Sequence, residues 1–140
     1  MRPLVRRYVT MNNQQWYKFF SICATHLGTG APTIVNSDNW CSWITFDRLE
    51  EDVRYWTSGL PKSDELNETS LQDGGVWGHP FLFNEIAHII LPKKFFGEAC
   101  IDGKYQFVHK EQNIENISDL LTNAGIEHRC TDKILEIKLY

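Results

Sequence analysis

No stretch of this sequence approaches the roughly 20 consecutive apolar residues of a membrane-spanning helix. Its densest candidate, Ile89 to Leu91, is bounded by His88 and Pro92. Met1 to Thr10 carries Arg2, Arg6 and Arg7 but has neither the apolar stretch nor the small-residue cleavage site of a secretion signal. Cys23, Cys41, Cys100 and Cys130 stand far apart and never form the C-x-x-C pair of a zinc knuckle or redox site. No histidine falls in H-E-x-x-H and no serine in G-x-S-x-G. Gly74-Gly75-Val76-Trp77-Gly78 has the composition of a phosphate loop without the Lys-Ser/Thr or G-x-G-x-x-G spacing that such loops need. With these signatures missing, the expectation is a cytoplasmic protein with reduced thiols, no metal, no cofactor and no membrane association.

What is present is globular. With 140 residues, 42% of them hydrophobic and 23% charged, the chain can fill one core and not two. Met11 opens a clean amphipathic pattern, so residues 1–10 are expected to be a disordered extension ahead of a natural start at Met11. Residues 11–140 are expected to form a single domain.

Trp16, Phe19, Phe20, Cys23 and Leu27 mark one face of a helix from Asn13 to Leu27, capped by Asn12 or Asn13 and ended by Gly28. Thr33 to Val35 and Trp40 to Phe46 are rich in β-branched and aromatic residues and read as strands. Asp47 with Glu50 reads as a helix start, with Leu49, Val53 and Trp56 on one face and the end at Gly59. Leu60 to Gly78 reads as the longest loop, and Glu85 to Leu91 as the central strand. Asp102-Gly103 predicts a type I′ hairpin between Glu98 to Ile101 and Lys104 to His109. Ile117, Leu120, Leu121 and Ala124 predict a helix closed by Gly125, followed by strands from Ile126 to Cys130 and from Ile134 to Tyr140. The fold class that follows is α+β, a mostly antiparallel β-sheet with helices packed on one face.

Charge says more about function than any motif. With the three N-terminal arginines set aside, 11 basic residues face 18 acidic ones, a formal charge of −7. Asp47, Glu50, Glu51, Asp52, Asp64, Glu65, Glu68 and Asp73 stand against only Arg48, Arg54 and Lys62 in one stretch of chain. Such a region repels nucleic acid. It is either a solvated face or a landing site for a basic protein. Trp56 and Trp77 flank it, and Trp77, set among glycines, is expected to be exposed as an interface anchor. Among the histidines, His88 reads as part of a strand and His26 as the last turn of a helix. His109 and His128 are the nearest thing to a catalytic pair, both in predicted strands and without a spaced acid.

A chain that begins Asn12-Asn13-Gln14-Gln15-Trp16, carries His79-Pro80-Phe81 before the Glu85 to Leu91 strand, and ends Ile134-Leu135-Glu136-Ile137-Lys138-Leu139-Tyr140 resembles small bacterial immunity proteins. The closest likeness in character is to those paired with contact-dependent growth inhibition toxins. The resemblance covers most of the chain from Met11 onward and carries no single functional residue with it. It implies a non-catalytic monomer that binds the C-terminal domain of a cognate toxin, one to one, and blocks it. Such toxins are commonly nucleases with basic clefts, for which an acidic inhibitor with aromatic anchors is suited. Two other readings remain open: a small enzyme or nuclease-like toxin using His109 or His128, and a cytosolic adaptor domain.

A chain beginning at Met11 is expected to melt within a few degrees of the full chain. A larger drop in the thermal midpoint would assign Met1 to Thr10 a structural role.

Overall fold

In the computed structural model, residues 10–51, 54–72 and 74–140 are described. Most of the expected N-terminal extension, residues 1–9, lies outside them. Helix α1 (Asn13–His26) forms where the apolar stripe recurs, and Trp16, Phe19, Phe20, Ile22 and Cys23 are all buried. A capping box starts it: Gln15 N–H donates to Asn12 Oδ1 at 2.8 Å and Asn12 N–H donates to Gln15 Oε1 at 2.9 Å. Helix α2 (Phe46–Glu51) is short, and α3 (Ile114–Asn123) is capped by Asn113, which accepts from the Asn116 amide. Helix α3 ends in a Schellman arrangement: Ile126 N–H donates to Leu121 O at 2.9 Å and Gly125 N–H to Thr122 O at 3.1 Å.

The strands are β1 (Cys41–Thr45), β2 (Trp56–Ser58), β3 (Ser70–Leu71), β4 (Phe81–Leu82), β5 (Ile86–Pro92), β6 (Lys94–Ile101), β7 (Lys104–Glu111), β8 (Arg129–Cys130) and β9 (Ile134–Lys138). Five of them form an antiparallel sheet in the order β2-β1-β5-β9-β8, with β5 at its centre as the sequence predicts. Strand alternation divides its faces. Trp43, Ile89 and Ile137 align in one row, with Leu91 and Leu135 in the next, and all are buried in the core that α1 and α3 share. The opposite face carries Ser42, Ile90, Glu136 and Arg129 in one row and Ile44, His88 and Lys138 in the next. The molecule is a single α+β domain.

Strands β6 and β7 form a separate ribbon, four residues longer on its first strand than the sequence indicates. Asp102 and Gly103 turn it with φ of 51° and 76°, as a type I′ turn requires. At its foot Phe95 stacks on Trp40, with ring centroids 6.2 Å apart, and Lys110 donates to the carbonyls of Val35 and Ser37. Buried Gln112 ties the ribbon to the sheet. Its Nε2 donates to Trp40 O at 2.8 Å and Pro92 O at 2.6 Å, and its Oε1 accepts from Trp40 N at 3.1 Å.

Four expectations are corrected. The predicted strand from Thr33 to Val35 is a 3₁₀ turn, Ile34–Asn36, because Lys110 and the turn itself, rather than a neighbouring strand, satisfy its carbonyls. The helix expected to run from Asp47 past Trp56 to Gly59 is α2 alone, ending at Glu51, while Trp56 joins β2 directly opposite Trp43. Val53 lies outside the described residues. The strand expected from Ile126 is only β8, since Ile126 closes α3 instead.

The fourth correction concerns Leu60 to Gly78, which is built into the core rather than looped over it. Trp77, expected to be exposed, is 7% exposed. Its ring lies on Trp43 with centroids 3.7 Å apart and planes 8° apart, and its Nε1–H donates to Gly59 O at 3.1 Å. Glu65 pins the segment from the other side, its carboxylate accepting from the amides of Lys62 at 2.7 Å and Val76 at 2.5 Å. A Cβ at Gly75 would lie 1.7 Å from Glu65 Oε1, so a larger residue there would displace the carboxylate.

Trp77→Ala is expected to destabilise the domain by about 3–5 kcal/mol, the usual cost of emptying a tryptophan site. An unchanged urea midpoint would contradict the stacked arrangement.

Candidate functional site

Among the described residues, the acidic side chains of this stretch do not form one patch. Asp47, Glu50 and Glu51 are exposed on α2, which follows Thr45 at the C-terminal end of β1. Asp64 and Glu65 lie on the 3₁₀ turn Ser63–Glu65, which follows Leu60, and Leu60 N–H donates to Asn39 Oδ1 ahead of the start of β1. Five residues of extended strand, about 17 Å at the usual rise, therefore separate the two groups. Glu68 is exposed beside the first turn of α1, lining a shallow cavity with Asn13, Gln14 and Tyr17. Asp52 and Asp73 lie outside the described residues.

Of the two tryptophans flanking the acid, Trp77 is core and Trp56 is half-buried. The ring of Trp56 stacks on Trp43 from the edge strand, and the Arg48 guanidinium covers it at 4.0 Å. Arg48 is fixed there by donating to Arg54 O at 2.9 Å. Of these two tryptophans, Trp56 is the one left partly exposed, at the α2 end. The aromatic surface that sequence reasoning missed is on the ribbon, where Phe96, Tyr105 and Phe107 are 60%, 73% and 54% exposed.

The candidate catalytic pair is not brought together. His109 sits on β7 against Phe96 and Phe107, with centroids 6.0 Å and 4.6 Å away. His128 lies just before β8, where its Nε2 is hydrogen-bonded to Ser118 Oγ at 2.6 Å and its Nδ1–H donates to Ile126 O at 2.9 Å. A carbonyl in the third position orients the ring but lacks the charge with which a carboxylate stabilises imidazolium. The contact clamps α3 to the strand that follows.

The most heavily titratable cluster is on the open face of the sheet. His88 (6% exposed) and Glu136 (9% exposed) meet across β5 and β9. His88 Nε2–H donates to Glu136 Oε1 at 2.7 Å, and Arg129 donates to Glu136 Oε2 at 2.6 Å. The Tyr55 hydroxyl is 2.7 Å from His88 Nδ1 and 3.1 Å from the Tyr140 hydroxyl. Burial, the hydrogen bond and charge of Tyr140 and the charge of Glu136 all push the Tyr55 phenol up, so Tyr55 keeps its proton and donates it to Nδ1. The two tyrosine hydroxyls share a hydrogen bond beside that imidazole.

Burial holds His88 below its ordinary 6.5, assisted by the Lys138 charge and opposed by the hydrogen bond and charge of Glu136. Burial pushes Glu136 up, but the hydrogen bonds from Arg129 and His88, with their charges, outweigh it and leave the carboxyl below its ordinary 4.5. The groups facing His88 are Tyr55, Tyr140, Glu136 and Lys138. Sequence reading placed His88 in a strand without finding its partner. A lone glutamate between Leu135 and Ile137 was the available signal.

Among the described residues no three His, Cys, Asp or Glu side chains gather as a metal ion would need, and no helix is long and apolar enough to cross a membrane. All four cysteines are free; Cys23 and Cys41 are buried, Cys130 is half-buried and Cys100 is exposed on the ribbon.

Both members of the His88–Glu136 pair bind protons more readily in the unfolded chain than in the folded one, so stability rises with pH across their titration. Unfolding free energy is expected to fall as pH drops below 6.5, through His88, and further below 4.5, through Glu136. His88→Gln should flatten the upper part of that slope in denaturant titrations at stepped pH. A slope identical to the parent's would show that His88 is not the titrating group. Comparison with protein-family models, curated proteins and solved structures gives no match.

Proposed function

We propose that this chain is a non-catalytic immunity-type protein of the cytoplasm, which binds a cognate toxin domain with a basic cleft, one to one, and neutralises it. The observation that supports this reading is α2, where Asp47, Glu50 and Glu51 stand exposed beside the half-buried Trp56. The field of a domain carrying −7 over residues 11–140 favours the approach of a basic protein and repels nucleic acid. Exposed carboxylates at the rim of an interface act mainly on the association rate. Trp56, held at the sheet edge by Trp43 and Arg48, supplies the rigid aromatic that a partner can cover. Asp64, Glu65 and Glu68 fall outside this surface. Glu65 is already committed to backbone amides, and Trp77 to the core.

On this reading the frame immediately upstream encodes a secreted toxin, and the test uses the C-terminal domain of that product. Stoichiometric addition of this chain should abolish that domain's activity. Glu50→Lys with Glu51→Lys should slow association on the order of tenfold at low ionic strength and weaken its salt dependence, with the unfolding midpoint unchanged. Full toxin activity in excess protein would sink the reading. Inhibition with unaltered association kinetics would move the interface away from α2.

A further inference from the structure

We propose that the outer face of the β6–β7 ribbon is a self-association surface, on which two copies of this chain meet face to face. Register places Phe96 opposite His109, Phe107 opposite Glu98 and Tyr105 opposite Cys100, all on one face. The rings are contiguous: Phe96 and Phe107 have centroids 5.8 Å apart, and Phe107 and His109 4.6 Å. At about 200 Å² per ring, the exposed fractions of Phe96, Tyr105 and Phe107 amount to about 370 Å². That is within the range of the largest apolar patch on a typical monomer, about 300–600 Å², which is often functional. The ribbon cannot fold it away, because its other face is already used: Phe95 lies on Trp40, Gly97 against Ile34, and Lys110 holds two carbonyls of the body.

Charge identifies the occupant. Over residues 94–111, Lys94, Lys104 and Lys110 balance Glu98, Asp102 and Glu111, while residues 11–140 together carry −7. Two carboxylates lie on the aromatic face and both are engaged: Glu98 accepts from the Tyr105 hydroxyl, and Glu111 pairs with Lys94 at 3.7 Å. A basic partner is drawn to acid and gains little from a ribbon whose charges balance. Two copies of an acidic domain, by contrast, repel one another except along a neutral element, and an apolar face matched to itself closes about a two-fold axis. The ring area is about half of the roughly 800 Å² per partner of a standard interface, the size class of weak, transient associations. Gln112 anchors the ribbon at Trp40, ahead of β1, whereas α2 follows the end of β1. Pairing therefore leaves α2 uncovered, and the inference stands independently of the toxin-binding reading.

Sedimentation velocity of the full chain over a micromolar concentration series tests it. The expected result is a monomer–dimer equilibrium that tightens as salt screens the acidic bodies from each other. Phe96→Ser with Phe107→Ser should weaken it about tenfold or more, since buried aromatic anchors dominate such contacts. Tyr17→Ser, an exposed ring away from the ribbon, should leave it unchanged. In the unsubstituted chain, alkylation of Cys100 should slow as concentration rises while that of Cys130 does not, a readout that survives any folding defect of the double variant. Monomer at every concentration and salt, a double variant that dimerises like the parent, or a Cys100 rate independent of concentration would each overturn the proposal.

Discussion

The stack of Trp77 on Trp43 is the contact on which the rest of the domain depends. Trp43 comes from β1 and Trp77 from a polar, glycine-rich segment, and Phe20, Trp56 and Phe81 close around the pair. Through it α1, the sheet and residues 60–78 become one core rather than a sheet with a loop. The stack carries a cost, because Trp43 Nε1 is buried without a hydrogen-bond partner while Trp77 donates to Gly59. An unpaired indole N–H costs about 1–3 kcal/mol, and burying a tryptophan contributes about 3–5 kcal/mol. The packing outweighs the lost bond.

What could be read from the sequence is what local physics decides. Helices α1 and α3, with their asparagine caps, and the Asp102-Gly103 turn all depend on residues within a few positions of one another. The position of β5 was legible because a run buried on both sides has to sit centrally. The edge strand β2 was not, because Trp56 suits helical spacing until Trp43 offers it a partner. Nor was the order of residues 60–78, where Glu65 reaches Val76 and Gly59 receives Trp77 across the chain.

The candidate site shows the same division. Acid was legible as composition, but its split across the two ends of β1 belongs to topology. His88 and Glu136 are 48 positions apart, and only the pairing of β5 with β9 joins them. The ribbon was within reach of sequence reasoning, since a two-residue turn dictates which residues face each other. Applying that register to Phe96, Tyr105 and Phe107 would have placed three rings on one face.

Gln112 gives the ribbon a mechanical character. Its side-chain amide contacts Trp40 and Pro92 much as a strand's own backbone would, and its main-chain N–H donates to Lys93 O at 2.9 Å. A long two-stranded arm held near its root by the Gln112 amide, the Phe95–Trp40 contact and the two Lys110 hydrogen bonds behaves as a cantilever. Its stiffness resides in the clamp, and small adjustments there become large displacements at the Asp102-Gly103 tip. Changes in where the arm points can therefore arise from substitutions at its base, with the surface it presents left untouched.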